Sequence, residues 1–355
     1  MKILVIALAG IGDCLIATPL IRELRLRYPE ATIEALVFWP GSRDLLEGNP
    51  HLNAIHQKNL MKEGYARSIS YLLSLRRRGY DCSLNAHPQG RIHYRVAAWL
   101  IGAPLRLSHR YDNHSPLDHL LVNRTIPQDY QAHSIENNQR LAALLPGDAR
   151  LANPEMEVYL TAGEEEWAEE WLAQNGNPSR RRLGVHVGSG GTKNLTLKRW
   201  PLGHYIEFFR ELVIRRPDVD VLLFGGPEEE KAHQEIQAAV KSPRLRAVRS
   251  QNLRQAAALL RRCHAFLSVD TALMHLAAAM KVPNQVVIEA PTLNPTNRPW
   301  HNHHRVVGNP MVNGRNLDYY RYDGGPIRGG KKHLLEVMAS VPASEVLKAV
   351  MESLS

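Results

Sequence analysis

Phe266-Leu267-Ser268-Val269-Asp270-Thr271-Ala272-Leu273-Met274-His275-Leu276-Ala277-Ala278-Ala279 is the stretch from which the architecture follows. Phe266 to Val269 is short and apolar, as the end of a buried strand is. Asp270 and Thr271 are small and polar, and from Ala272 the alanine-rich run reads as a helix. A strand, a polar turn and a helix start aim backbone N–H groups at whatever lies above the sheet edge, which suits a phosphate. Asp270 can accept from a hydroxyl, and Thr271 can donate to an oxygen. His275 follows Thr271 by about one helical turn, so the two share a face. An aspartate N-cap on an ordinary core helix accounts for the same residues without a ligand. The stretch alone favours that simpler account, and the neighbouring stretches shift the balance.

Around it the second half alternates strands and helices. Leu183 to Val187 reads as a strand whose exit is Gly188-Ser189-Gly190-Gly191-Thr192, followed by Lys198-Arg199-Trp200-Pro201. Small residues directly after a buried strand, with a cation soon after, suit a phosphate cradle better than a plain surface loop. Val219 to Phe224 is a strand, and Gly225-Gly226-Pro227-Glu228 opens the next helix. Glu228 either accepts from a ribose hydroxyl or base edge, or complements the helix dipole. Leu245 to Val248 and Gln285 to Glu289 are further strands, the latter leaving through the polar loop 290–298. Asn302 to Gly330 is rich in Asn, Gly, Tyr and Arg and predicts little regular structure, and Ser344 to Leu354 is a closing helix. Several strands ending in polar or glycine loops is what one nucleotide site at a sheet's C-terminal edge requires.

The first half opens with the same logic. Lys2 to Ala9 is a strand of a parallel sheet by its continuous apolar character, followed by Gly10-Ile11-Gly12-Asp13. Leu15 to Tyr28 predicts a helix; Thr18-Pro19 either caps it or kinks one that began earlier. Ala31 to Phe38 completes a β-α-β unit. Asp13 follows a strand end and so faces the ligand crevice of an open sheet, with helix capping as the equal alternative. Gly10 and Gly12 fit two glycines of the dinucleotide fingerprint, but Leu15 holds the third position, so the match is weak. Asn53 to His56 and Tyr80 to Asn85 are shorter strands, the second leaving through His87-Pro88-Gln89-Gly90-Arg91. Arg106 to Leu121 reads as irregular, and Pro146 to Pro154 as a linker.

At 355 residues and 44% hydrophobic, the chain suits two domains with full cores. Cys14, Cys82 and Cys263 are scattered and form neither a metal-ligand pair nor a disulfide ladder, as in a reducing cytoplasm. The apolar run Ile3 to Ile11 is cut by Asp13 with no small-residue cleavage site, so it is a first strand rather than a signal peptide. No stretch reaches transmembrane length. The net charge of +9 gathers in clusters such as Arg76-Arg77-Arg78 and Arg180-Arg181-Arg182. Each cluster alone is a solvated helix end; together they suggest an anionic substrate or surface. Nucleic acid is disfavoured, because aromatics are not interleaved with the basic runs.

Four segments together resemble glycosyltransferase family 9, the bacterial lipopolysaccharide heptosyltransferases, over nearly the whole chain. They are Gly12-Asp13-Cys14-Leu15-Ile16-Ala17-Thr18-Pro19, Gly188-Ser189-Gly190 with Lys198-Arg199-Trp200-Pro201, Gly225-Gly226-Pro227-Glu228, and Ser268-Val269-Asp270-Thr271 with His275-Leu276-Ala277-Ala278. The resemblance implies an α/β chain of GT-B architecture, two doubly wound Rossmann-like domains facing across a cleft. It implies an acceptor domain over 1–155, a nucleotide-sugar domain over 156–330 and a closing helix over 331–355. Asp13 would be the general base, with Lys198, Ser189 and Gly190 on the diphosphate and Glu228 on the nucleoside. Asp270, Thr271, Ala272 and His275 would line the phosphate and sugar region, and Gly12, His87 and Arg91 would meet the acceptor. Ala272 stands where the family pattern has glycine, which puts a methyl group at the phosphate approach. The loop before Lys198 runs longer than in some relatives, and the 302–330 tail departs from the family's.

The implied activity is inverting, metal-independent transfer of a heptose from ADP-heptose to a sugar hydroxyl of the lipopolysaccharide core. No cofactor is needed, since the ADP-sugar is a substrate. The partners are that donor and an anionic glycolipid, with no nucleic acid. The enzyme would be cytoplasmic, in peripheral contact with the inner membrane's cytoplasmic face. Three rivals share the fold class: a transferase using another nucleotide sugar, a non-catalytic two-lobed binding protein, and a nicotinamide dehydrogenase, which the missing third glycine disfavours.

Overall fold

The computed structural model describes residues 1–151, 153–191, 194–300 and 302–355; Thr192 of the glycine-rich exit lies outside them. The chain divides into two compact units, residues 1–159 with 322–325, and residues 160–321 with 326–355.

The first unit holds β1 (Lys2–Ala7), β2 (Thr32–Val37), β3 (Ala54–Gln57), β4 (Cys82–Asn85), β5 (Leu105–Arg110) and β6 (Arg124–Pro127). They form one sheet in the order β3-β2-β1-β4-β5-β6, every pair parallel. Strand residues alternate between two cores, as the pleat demands. Ile3 and Val5 pack with Leu20, Ile21 and Leu24 on one face. Leu4 and Ile6 pack with Leu72, Leu75, Ala97 and Ala98 on the other. The segment 106–121, read above as irregular, contains all of β5 after Leu105, because its alternation hides a buried polar row: Ser108 and His109 are inside. His109 Nε2 lies 2.9 Å from the carbonyl of Asn137 there. The helix expected from Leu15 begins at Ile11, stops at Ile16 and resumes over Thr18–Arg27 with its proline in the first turn.

The second unit holds β7 (Arg181–His186), β8 (Val219–Phe224), β9 (Leu245–Ala247), β10 (Ala265–Ser268), β11 (Asn284–Ile288) and β12 (His303–Val307). Their order is β12-β11-β10-β7-β8-β9, again all parallel. The 302–330 region is thus less irregular than its composition predicts. It supplies β12, an edge strand whose His303, His304 and Arg305 are exposed, and a helical turn Asn316–Tyr319. An edge strand facing water has no apolar run by which to be read. The closing helix is Ala343–Ser353, preceded by a helix over Lys331–Ala339. Val346 and Val350 join the second unit's core with Trp200, Phe208 and Phe209.

One buried charge sits in the first unit's sheet. Glu34 on β2 is 2% exposed. Its carboxylate accepts from Arg78 at 2.7 and 2.9 Å, from Tyr80, and lies 2.7 Å from His56. Burial works to raise its pKa, but these hydrogen bonds outweigh it and hold the group down at about 2. A depressed carboxylate adds stability above its unfolded value near 4.5, and that stability is lost as pH falls through the folded value. Glu34→Gln should therefore remove roughly 3 kcal/mol from the acid limb of a stability-versus-pH curve, flattening it between about pH 5 and 2 in urea melts.

Candidate functional site

A doubly wound parallel sheet opens where its strand order reverses, at the C-terminal ends of the two flanking strands. In the second unit that point lies between β7 and β10. Their exits are the glycine loop after His186 and the turn Val269-Asp270-Thr271. In the first unit it lies between β1 and β4, whose exits are the loop leading to Asp13 and the loop 86–91.

At the second unit's reversal point the polar groups are buried and paired. Lys198 ends a short 3₁₀ turn, Leu195–Lys198, and its ammonium lies 3.1 Å from Asp270 Oδ1. The two residues are 6% and 2% exposed. Thr292 Oγ1 donates to Asp270 Oδ1 at 2.6 Å, and Asn297 Nδ2 donates to Oδ2 at 2.8 Å. Asn294 braces that loop, accepting from Thr296 and donating to the carbonyl of Tyr320 at 3.1 Å. Thr271 is the N-cap of the helix Ala272–Ala279, its hydroxyl accepting from the Met274 amide at 3.4 Å. His186 Nδ1 lies 3.2 Å from the same hydroxyl. Ala272, partly exposed, is the first residue of that helix. His275 is buried and its Nδ1 has no hydrogen-bond partner among the described residues. Burial, then the charge of Lys198, pushes its pKa down to about 3, so it is a neutral imidazole.

The glycine loop is built on a carboxylate that sequence reasoning missed. Glu229, the neighbour of the predicted Glu228, is turned inward at 6% exposure. Its Oε2 accepts from the Gly226 amide at 2.9 Å, and Arg199 lies 3.5 Å from its Oε1. Burial raises its pKa, against the Gly226 hydrogen bond and Arg199. A Cβ at Gly188 would run into this carboxylate, and one at Gly225 would come within 2.7 Å of Glu229 Cβ. Glu228 by contrast is exposed, 3.9 Å from Arg199. The Ser189 hydroxyl is occupied within the loop, donating to the Leu195 carbonyl at 2.9 Å and accepting from Arg199 at 3.1 Å. Gly190 stands exposed at the tip. Of the predicted donor set, Lys198, Asp270, Thr271 and His275 come together, with Ser189 one arginine away and Glu228 on the surface.

In the first unit Asp13 is half-buried on the short helix Ile11–Ile16. Its Oδ2 accepts from the Gly10 amide at 2.7 Å, so the capping role is real. Gly12 is buried beside it. His87 points inward and is 1% exposed. Its Nδ1 lies 2.9 Å from the Tyr111 hydroxyl, which also accepts from the Gln89 amide at 2.8 Å. Burial, then His109 and His133, hold it well below the usual histidine range. Arg91 is half-exposed, its Nε donating to the Gly324 carbonyl at 2.9 Å. No sequence signal marks Tyr111, Thr292 or Asn297 individually; each earns its place from a partner far along the chain. Among the described residues no three His, Cys, Asp or Glu side chains are placed to hold a metal ion. None of their helices is long and apolar enough to cross a membrane.

Two doubly wound parallel units, one with a buried lysine at its reversal point and the other with an aspartate, define the class: a glycosyltransferase of GT-B fold. Residues 70–321 match the description "Glycosyltransferase family 9 (heptosyltransferase)". The chain belongs to that family. Lipopolysaccharide heptosyltransferase 2 of Salmonella typhimurium is 27% identical to it over 306 residues, covering 80% of this chain and 81% of the relative. Lipopolysaccharide heptosyltransferase 3 of Escherichia coli is 24% identical over 354 residues, covering 96% and 95%. Among solved structures, the Escherichia coli ADP-heptose lipopolysaccharide heptosyltransferase II superposes with a TM-score of 0.72 at 24% identity, covering 100% of this chain and 98% of its own. A family 9 glycosyltransferase of Veillonella parvula gives 0.75 at 21% identity, covering 99% and 97%.

The glycine geometry separates two neighbouring positions. Gly188→Ala should cost about 1–3 kcal/mol, because Glu229 has to move. Gly190→Ala, whose Cβ would meet only Leu195 among the described residues, at 3.7 Å, should stay within about 0.5 kcal/mol. Chemical denaturation of both variants measures the difference.

Proposed function

We propose that the enzyme transfers a heptose from ADP-heptose to a sugar hydroxyl of a lipopolysaccharide core, with inversion at the anomeric carbon. The observation that supports it is the buried Lys198 beside Asp270 at the second unit's reversal point, next to the start of the helix Ala272–Ala279. A buried ammonium and leading helix amides answer a diphosphate. In this reading Lys198 and the amides after Thr271 take the leaving ADP's charge. The turn Gly226-Pro227-Glu228 meets the nucleoside, and neutral His275 faces the sugar-phosphate as a hydrogen-bond partner. The acceptor hydroxyl attacks the anomeric carbon from the side opposite ADP, the sugar–phosphate bond breaks, and the hydroxyl proton passes to Asp13. Gly12 and Arg91 meet the acceptor, while His87, held by Tyr111, supports their loop. Catalysis requires Asp13 and the donor to meet around that hydroxyl. The site of action is the cytoplasmic face of a membrane carrying the glycolipid. No divalent ion takes part, so a chelator should leave turnover unchanged.

Asparagine at position 13 distinguishes base from cap, because its amide oxygen can still accept from Gly10. Asp13→Asn should melt within about 1 kcal/mol of the parent and keep ADP binding, while turnover falls about 10²–10⁴-fold. Near-parental turnover would reject the base.

Lys198→Ala should weaken ADP binding far more than adenosine binding by calorimetry, since only ADP carries the diphosphate. Equal losses would remove Lys198 from the phosphate site. A thermal-shift panel of ADP-, UDP- and GDP-sugars tests the donor, with ADP-heptose expected to give the largest shift.

A further inference from the structure

The exposed apolar side chains are not scattered. Of the twelve large ones exposed among the described residues, eight fall between Met61 and Leu120. Tyr65, Ile69 and Leu73 follow one another at four-residue steps on the helix Tyr65–Arg76, which lines them along one side. The opposite side of that helix, Ser68, Leu72 and Leu75, is buried. Arg76, three residues beyond Leu73, lies against Gly102: a Cβ there would stand 2.9 Å from its Nε. The apolar stripe therefore borders the next helix, Ile92–Ile101, which presents Ile92 and Trp99 outward, 51% and 49% exposed. On the far side, Arg95 of that helix pairs with Asp118 at 3.0 Å. This ties the 3₁₀ turn Pro116–Leu120, with Leu117 and Leu120 exposed, to that helix. Two helices and a turn, linked by these contacts, thus each present apolar side chains to water.

The charge around it is equally concentrated. Residues 58–120, which span these elements, contain ten Lys and Arg against four Asp and Glu, which is six of the chain's nine surplus charges. Lys62, Arg67 and Arg77 are exposed at the two ends of the first helix, and none forms an ion pair among the described residues. A second copy of the chain would bring the same positive face against itself, so self-association there is opposed. A partner has to supply negative charge at the rim and an apolar medium at the centre. Amphipathic Tyr and Trp at such a boundary suit a bilayer interface.

We infer that the face formed by the helices Tyr65–Arg76 and Ile92–Ile101 and the turn Pro116–Leu120 docks on an anionic lipid bilayer. The aliphatic side chains and Trp99 enter the headgroup boundary, and Lys62, Arg67 and Arg77 lie over acidic headgroups. This deepens the membrane contact proposed above, but its evidence is independent of the transfer chemistry. It also rests on no helix spanning the bilayer.

The test is co-sedimentation of the full chain with vesicles of phosphatidylcholine alone and of phosphatidylcholine with equimolar phosphatidylglycerol. The protein should pellet with the anionic vesicles, and less so as salt rises. Ile69→Glu combined with Trp99→Glu should cut partitioning at least about tenfold. Arg67→Gln and Arg77→Gln should each cut it about fivefold. Ile214→Glu, exposed on the second unit, should change nothing. Circular dichroism melts check that each variant folds. Because neither donor nor acceptor is present, failure of the transferase reading leaves this result untouched. Absence of binding to anionic vesicles, or binding that survives the Ile69/Trp99 pair, would overturn the inference. So would a dimer in sedimentation velocity that this pair abolishes, which would give the face to a second copy instead.

Discussion

Lys198 is a cation almost removed from water, and nothing in an α/β sheet tolerates that unless a carboxylate is fixed beside it. Asp270 is that carboxylate, and it needs its own fixing. Thr292 and Asn297 supply it from the exit of β11, so Lys198, Asp270 and the Thr292–Asn297 loop are tied into one hydrogen-bonded unit. These groups come from the exits of three strands, β7, β10 and β11. The reversal of strand order sets those exits side by side, and the ion pair converts that proximity into a defined geometry. A lysine so held is oriented before any anion arrives, which is the condition for electrostatic stabilisation without reorganisation. Burial holds the pKa of His275 down, and the charge of Lys198 adds to it.

A second device recurs in both units. At the exit of β1 the Asp13 carboxylate turns back on the Gly10 amide, and at the exit of β8 the Glu229 carboxylate turns back on the Gly226 amide. In each, glycine precedes the acid by three residues, where a carboxylate reaches back to the opening amide of its own turn. The two sites differ in surroundings. Glu229 is packed under Gly188 and flanked by His186 and Arg199, and burial lifts its pKa. Asp13 stays half-open to water. The buried acid shapes a loop, and the half-open one caps a short helix.

Much of this was readable in the residues. The strands β1, β7, β8 and β10 announce themselves as apolar runs because both of their faces are covered, and the glycine or aspartate that follows each marks its exit. What was hidden lies where burial and polarity part company. β12 begins His303-His304-Arg305 and pairs along one edge only, so its sequence resembles a loop. β5 carries a buried serine and histidine whose partners are found only in the folded chain. Glu228 and Glu229 are adjacent identical residues, and periodicity has no means of saying which turns inward. Packing against Gly188 and Gly225 settles it. Ser189 was legible as a small loop residue but not as one whose hydroxyl Arg199 already holds.

The distribution of charge follows from the same distinction. In the second unit the cations nearest the reversal point, Lys198 and Arg199, are matched to carboxylates. In the first unit part of the surplus is carried on exposed side chains, Lys62, Arg67 and Arg77 among them. Paired and buried charge acts at one place over a few ångströms and is little screened. Exposed charge acts over about a Debye length, roughly 8 Å at physiological ionic strength, and cannot specify a single small ligand. The two kinds suit different tasks. The first is fitted to holding one small anion in register, and the second to raising residence at an extended anionic surface. A basic isoelectric point alone says nothing of this division. With six of the nine surplus charges in residues 58–120, the basicity is concentrated in one part of the first unit.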